Sequence, residues 1–342
     1  RFSDSFWLTG GLRYGNTKVQ SFTRSGGYNS NYLTVAFCRE FFPACWPLFP
    51  TLTVTPIAAA TGLKVSDDRL SWKASVSWKP SDSLTTYATV STGFRTPVVN
   101  ARAGLAPPMT APDDIVIPDG AKSDSVTNYE LGLKGRWLGG DLTANLAAYY
   151  IDWQDIQVQA NRVSDSIQFA TNIGGAESYG LEFDVLARPV AGLSLAFNGS
   201  FNRAKVTDLT ALEAAISGAE VGTRLASPRF QGSATLRYDF GIGDGKSAFG
   251  AVNVSHAGSF PNQFPNVPGN PDAVSPTYDH TEAWTNVNLY AGAKLGSLDL
   301  TAYVENLLDD SSITYVHPEA FLDGRYARLR PRTVGVRANY RF

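Results

Sequence analysis

The chain has 342 residues, with 29 Lys and Arg against 31 Asp and Glu, for a formal net charge of −2. That near balance leaves no basic footprint for nucleic acid. Apolar residues make up 43% and charged residues 18%, while Gly, Tyr, Phe and Trp are plentiful and there is one Met; this mix suits a β-rich membrane protein better than a soluble α/β enzyme.

The opening stretch "RFSDSFWLTGGLRYG" reads as a strand already in progress, so the natural start of the polypeptide is expected upstream. A long connection follows, roughly residues 21–62, holding the uncharged run Phe41 to Leu63. Pro43, Pro47, Pro50 and Pro56 would break a helical ladder repeatedly, so the run reads as an extracellular loop and not a membrane helix. The only two cysteines, Cys38 and Cys45, share this loop; facing an oxidising compartment, they are expected to form a disulfide.

Beyond it the side chains alternate with period two, the signature of strands with one apolar and one polar face. Leu70, Trp72, Ala74, Val76 and Trp78 lead through the turn "KPSD" to Leu84, Ala88, Val90 and Phe94. After a long connection at 96–124, Tyr129, Leu131, Leu133 and Trp137 oppose Glu130, Lys134 and Arg136, and the turn "LGGD" leads to Leu142, Ala144, Leu146, Ala148 and Tyr150. A third long connection is expected at 161–174. Then Tyr179, Leu181, Phe183 and Val185 oppose Glu182 and Asp184, "RPVAG" turns the chain, and Leu193, Leu195, Phe197, Gly199 and Phe201 follow.

The pattern continues with a long connection at 207–226, a strand from Phe230 to Phe240 whose other face carries Arg237 and Asp239, and the turn "GIGDGK". Past 260–282, Val287, Leu289, Ala291 and Ala293 lead through "GSL" to a strand carrying Glu305. After 309–326, Val334, Val336, Ala338 and Tyr340 alternate with Thr333, Gly335, Arg337 and Asn339, and Phe342 ends the chain.

Twelve strands joined alternately by short turns and long loops predict an all-β fold, an antiparallel transmembrane β-barrel sheet with short periplasmic turns and long extracellular loops. The polar face is ionic: Arg13, Lys73, Arg95, Glu130, Lys134, Arg136, Glu182, Asp184, Arg237, Asp239, Glu305 and Arg337. A dry core would not hold so many charges, since an unpaired buried ion costs several kcal/mol to order of magnitude. They call for water or a docked partner inside the barrel. A soluble two-sheet protein shares the period-two pattern, but the one-sided loops and the terminal aromatic argue against it.

No catalytic or metal centre is expected. His256, His280 and His317 are scattered, and no cofactor is implied. "GIGDGKS" lacks the phosphate-loop pattern because Phe240 stands where its first glycine belongs, and no G-x-S-x-G stretch exists. Arg95, in "GFRTP", shares the parity of Gly93 and Ser91 and should point into the lumen below an outer loop. It could meet an anionic ligand or serve as a solvated wall charge. Tyr28, Tyr32, Arg224, Phe264 and Tyr278 are loop candidates for a flat, aromatic or acidic ligand, or for packing the loops themselves.

The stretches "LTTYATVSTGFRTP", "SDSVTNYELGLKGRWLGGDLTANLAAYYIDWQDIQVQ", "NIGGAESYGLEFDVLARPVAGLSLAFNGSFNRA", "YVENLLDD" and "RPRTVGVRANYRF" together resemble the C-terminal part of the barrel of TonB-dependent outer-membrane receptors. The resemblance implies a place in the bacterial outer membrane and a barrel of twenty-two strands filled by an N-terminal plug. On that basis residues 1–342 are expected to be the barrel's last twelve strands, without the plug or the segment that recruits the TonB complex. Glu130, Lys134, Glu182, Arg237 and Glu305 would face the plug. The implied ligand is a scarce nutrient, most often a ferric siderophore, otherwise a cobalamin, haem or oligosaccharide, with iron arriving only inside the ligand. A passive diffusion porin and a twelve-strand autotransporter-type translocator are the alternatives.

Thr333, Gly335, Ala338, Tyr340 and Phe342 resemble the last-strand signal read by the outer-membrane insertion machinery. Twelve strands with a charged inner wall are also expected to form an open trough, not a small closed barrel. Replacing Phe342 by Asp, or adding a charged tail, should reduce assembly of the full-length protein. The measurement is the heat-modifiable barrel recovered in outer-membrane fractions, and undiminished recovery would contradict the assignment of the signal.

Overall fold

The computed structural model describes residues 5–23, 60–107, 111–112, 114–162, 164, 167–268, 270–317 and 325–342. Tyr28, Tyr32, Cys38 and Cys45 lie outside the described residues, and the expected disulfide lies outside them too.

The strands are β1 (Phe6–Thr23), β2 (Ala60–Ser81), β3 (Leu84–Phe94), β4 (Ser125–Trp137), β5 (Leu142–Asn161), β6 (Gln168–Ala187), β7 (Leu193–Asp208), β8 (Phe230–Gly243), β9 (Lys246–Ala257), β10 (Trp284–Leu295), β11 (Leu298–Glu305) and β12 (Thr333–Tyr340). They form one twelve-stranded sheet in which each strand pairs with its neighbours in sequence, antiparallel throughout. Among the described residues β1 pairs only with β2 and β12 only with β11, so the sheet is open at both margins. No described helix is long and apolar enough to cross a membrane; the crossing is made by strands.

Short turns close one end. At Asp244 (φ 49°) and Gly245 (φ 70°) both central residues are left-handed, and Gly243 pairs with Lys246, the two-residue Asp-Gly hairpin whose twist matches that of its strands. Such a turn sets the register, and the register sorts the side chains. Ala88, Leu131, Ala148, Leu181 and Phe201 share one row, as do Val90, Tyr129, Tyr150 and Tyr179. Leu131, Leu181, Phe201, Val334 and Val336 are exposed on this apolar face, the arrangement of a surface that meets lipid and not water.

The opposite face carries Tyr87 beside Gly132, Tyr149 beside Gly180, Phe249 beside Gly292 and Tyr303 beside Gly335, each pair in direct register. At Gly132, Gly292 and Gly335 the aromatic ring occupies the place that a Cβ on the glycine would need, and at Gly180 the Phe201 carbonyl takes that place with the Tyr149 ring close beside it. Glycine here leaves room for a ring to lie along the wall, and the hydroxyl of Tyr87 thereby reaches the Glu130 carboxylate at 2.6 Å.

One expected boundary is wrong. Residues 161–174 are not a long loop: β5 runs to Asn161, β6 begins at Gln168, and Ile156 to Asn161 pair with Ile173 to Gln168. The Gly174–Gly175 pair reads as a breaker in sequence. In the fold it permits close approach to the Asp208 backbone, while Phe169 and Ile173 are fully buried and hold the strand in place. At Asp155 φ is +54°, and past it Ile156 and Ile173 join Trp153, Ala176 and Val206 in one apolar cluster. A second cluster unites Ile117, Ala160, Ile167 and Phe169 with Leu105, Ile115 and Ile216. Both clusters sit at the long-loop end, where loops pack onto the strand extensions.

Substituting Gly132 by Ala would drive a methyl group into the Tyr87 ring, and overpacking of this kind costs about 1–3 kcal/mol. The heat-modifiable barrel of Gly132→Ala should convert to the unfolded form at lower temperature than the parent. Adding Tyr87→Ala should return part of the loss, which an additive pair would not do.

Candidate functional site

The long-loop end is built on side chains that stand in for missing strand partners. Asn100 donates from Nδ2 to the carbonyls of Pro118 (3.0 Å) and Ala170 (2.8 Å) and accepts the Ala170 N–H at 2.7 Å, so that it mimics a strand partner for β6. Gln157 donates to Thr96 O and Lys122 O, both at 2.8 Å, and Asn172 donates to Lys122 O (3.0 Å) and Asp155 O (2.6 Å). Arg162, fully buried, donates to Leu105 O at 2.8 Å and Ile115 O at 3.0 Å. The connection between β3 and β4 is thus a fixed shelf on β5 and β6. Backbone amides that have left the ladder still need partners, and these side chains provide them.

At the foot of the shelf stands an ionic knot. The Arg95 guanidinium donates through Nε (2.6 Å) and Nη2 to Asp124 Oδ2, and its backbone N–H donates to Oδ1 at 2.9 Å. Trp153 Nε1 donates to the same carboxylate at 3.0 Å, and the guanidinium lies 4.8 Å from the Trp153 ring centroid. Burial opposes ionisation of Asp124, but the hydrogen bonds from Arg95 and Trp153 outweigh it and hold the carboxyl below the usual carboxylate range. Arg95 therefore spends its charge inside the protein while its side chain stays about half exposed (48%).

The other described candidates divide. Phe264 packs into the Ile156–Ile173–Val206 cluster, so it serves the loop's own packing. Tyr278 stacks edge-on against His280 with ring centroids 5.2 Å apart, and it lies within electrostatic reach of Arg224. Arg224 donates to Ser227 O (2.7 Å) and Ser259 O (2.9 Å); burial first, and then neighbouring Arg229, lower its pKa. The structure brings Arg224 and Tyr278 together and sets Arg95 apart, on the shelf.

Below the loops, the wall candidates line the inner face. Lys134 sits 5.7 Å from the Tyr87 ring centroid, Arg237 pairs with Asp239 (2.6 Å) and covers the Phe249 ring at 3.7 Å, and Glu305 meets Arg330 at 3.7 Å. A concavity of about 600 Å³ runs along this face, lined by Tyr87, Lys134, Asn145, Glu182, Asp184 and Asn198 among others. Its mixed charges suit a hydrated or polar occupant, and no metal-ligating cluster occurs among the described residues.

Asp124, Trp153, Asn100, Asn172 and Arg162 carry no signal of their roles in the local sequence pattern, with one exception. Phe94 pairs with Ser125, so Arg95 and Asp124 are the first residues beyond two paired strand ends, and that pairing could have pointed to Asp124.

Residues 1–307 match the family model described as TonB dependent receptor-like, beta-barrel. The pesticin receptor of Yersinia pestis is 25% identical over 293 residues, which is 82% of this chain and 37% of that protein. Among solved structures, the ferric yersiniabactin uptake receptor FyuA from Yersinia pestis superposes with a TM-score of 0.67 at 18% identity, covering 100% of this chain and 44% of the other. The ferric-catecholate import receptor Fiu from K12 E. coli gives 0.68 at 17% identity, with 100% and 43% covered. The copper transporter OprC gives 0.66 at 16% identity, with 99% and 46% covered. The chain spans less than half the length of each of these relatives.

Removing the Asp124 charge should loosen the shelf. In Asp124→Asn the guanidinium of Arg95 loses its ionic acceptor, at a local cost of roughly 1–3 kcal/mol for hydrogen bonds to a charged group, reduced by the exposure of Arg95. Because the folded pKa of Asp124 is depressed, its stabilisation is present above the unfolded value near 3.9 and disappears as pH falls through the lower folded value. Limited proteolysis between residues 96 and 123 should therefore be faster in the variant at neutral pH, and the two proteins should converge in strong acid.

Proposed function

The chain belongs to the TonB-dependent receptor-like β-barrel family, and from that premise we propose that it supplies the wall and ligand-capturing outer loops of an uptake receptor for a ferric siderophore. The family is one of transport receptors, not enzymes, and its place is the bacterial outer membrane. The observation that carries the reading is a lipid-facing sheet with an ionic inner wall, capped at its long-loop end by loops anchored through side-chain bonds. A passive pore has no use for such an anchored cap. The names of the pesticin receptor, FyuA and Fiu favour a receptor, and the last two favour a ferric chelate as the ligand class.

In this reading the wall residues Glu130, Lys134, Glu182, Arg237 and Glu305 face a plug supplied by the rest of a longer polypeptide, which also recruits the TonB complex. Of the described loop candidates Tyr278, edge-on against His280, is the one left to meet a flat or acidic ligand, while Arg224 is tied to the carbonyls of Ser227 and Ser259. Iron is cargo and reaches the protein already chelated. The outer-membrane insertion machinery would read Tyr340 and Phe342, whose rings meet edge-on at 5.3 Å.

Deleting the gene for the full-length protein and measuring uptake of a panel of labelled ferric siderophores under iron restriction tests this. At least one chelate should lose tenfold or more of its uptake, and the same uptake should vanish without TonB. Uptake that persists without TonB and does not saturate would replace the receptor by a diffusion porin.

A further inference from the structure

The lipid-facing side of β7 changes character abruptly. Its outward positions from the short-turn end are Leu193, Leu195, Phe197, Gly199 and Phe201, all apolar, and the next two are Arg203 and Lys205, both exposed. The ten residue steps from Leu193 to Arg203 rise about 33 Å along the strand, or about 23 Å along the membrane normal at a 45° tilt, against an apolar band about 25 Å tall. Arg203 therefore stands where hydrocarbon gives way to headgroups. Phe201 and Phe230, ring centroids 4.7 Å apart, mark the upper edge of the apolar band.

A third cation joins from the following loop. Arg224 is the bridge partner of Lys205, and residues 222–225 run antiparallel to the end of β7 through Gly222 N to Val206 O and Leu225 N to Ala204 O. Ala204 and Val206 are buried, and Leu225 packs into the apolar cluster with Val206. Lys205 and Arg224 thus lie on the opposite, outward side. Among the described residues the only carboxylate engaged is Glu177, which meets Lys205 at 3.2 Å and also accepts from Tyr150. Arg203 and Arg224 have no acidic partner among those residues, and Arg224 is held half-buried by two carbonyls with Arg229 nearby.

We propose that Arg203, Lys205 and Arg224 form a site on the outer surface of the barrel for the phosphate group of an outer-leaflet glycolipid headgroup. Two guanidiniums flanking an ammonium offer the forked donors that phosphate oxygens accept, and the phenylalanines below them face the acyl chains. The site lies outside the barrel and does not depend on what the lumen transports.

The full-length protein, purified in detergent and returned to phosphatidylethanolamine nanodiscs doped with diphosphorylated or dephosphorylated lipid A, provides the test. Native mass spectrometry should show the diphosphorylated lipid retained at least fivefold over its dephosphorylated form. R203Q/R224Q should lose most of that preference while remaining heat-modifiable. The charge-matched inner-face variant R13Q/K73Q should keep it. Retention unchanged in R203Q/R224Q, or an equal loss in R13Q/K73Q, would overturn the site. Displacement of the lipid by millimolar inorganic phosphate would overturn the lipid as its occupant.

Discussion

A polypeptide in hydrocarbon must pair every backbone N–H and C=O within itself, because each group left bare costs several kcal/mol to order of magnitude. Between the two open margins of the sheet, all else in this molecule answers to that requirement. It dictates an antiparallel ladder between sequence neighbours, the ladder dictates strict alternation of side chains, and alternation divides the protein into a lipid surface and an inner wall. The inner wall can then be ionic at little cost, since its charges are opposed by water or by one another, as Arg237 is by Asp239.

At the long-loop end the ladder thins, and the requirement is met by other means. Asn100, Gln157, Asn172 and Arg162 each offer side-chain donors to carbonyls that no strand reaches. The apolar clusters around Ile173 and Phe169 lie beneath these bonds, so the loops rest on a floor that is partly dry. Order in this cap comes from polar side chains tied to backbone over apolar packing, and the Arg95–Asp124 pair locks one corner of it.

The strands and their faces are legible directly in the chain because period-two alternation is local: Leu131 and Glu130 declare their sides without reference to anything distant. Short turns such as Asp244–Gly245 are equally plain, because left-handed backbone restricts the residues that fit. What the sequence hides is non-local. Gly174 and Gly175 look like a loop until Asp208 is known to approach them, and Asp155 reverses a face by one backbone angle that no pattern announces. Arg95 stands out as a possible ligand contact because its charge is visible, while the carboxylate that takes the charge lies 29 residues away. Once the strand ends are paired, that separation shrinks to a single hydrogen bond.

The aromatic–glycine pairs of the inner wall bear on what can move past it. A ring standing upright from a wall is an obstacle; a ring laid over a glycine is paving. Tyr87, Tyr149, Phe249 and Tyr303 spread their aromatic area along the surface instead of into the lumen. The bore keeps its width, and whatever occupies it meets broad faces with few projections between the charges. The flatness of this wall thus rests on residues without side chains, placed where the fold most needs the absence of one.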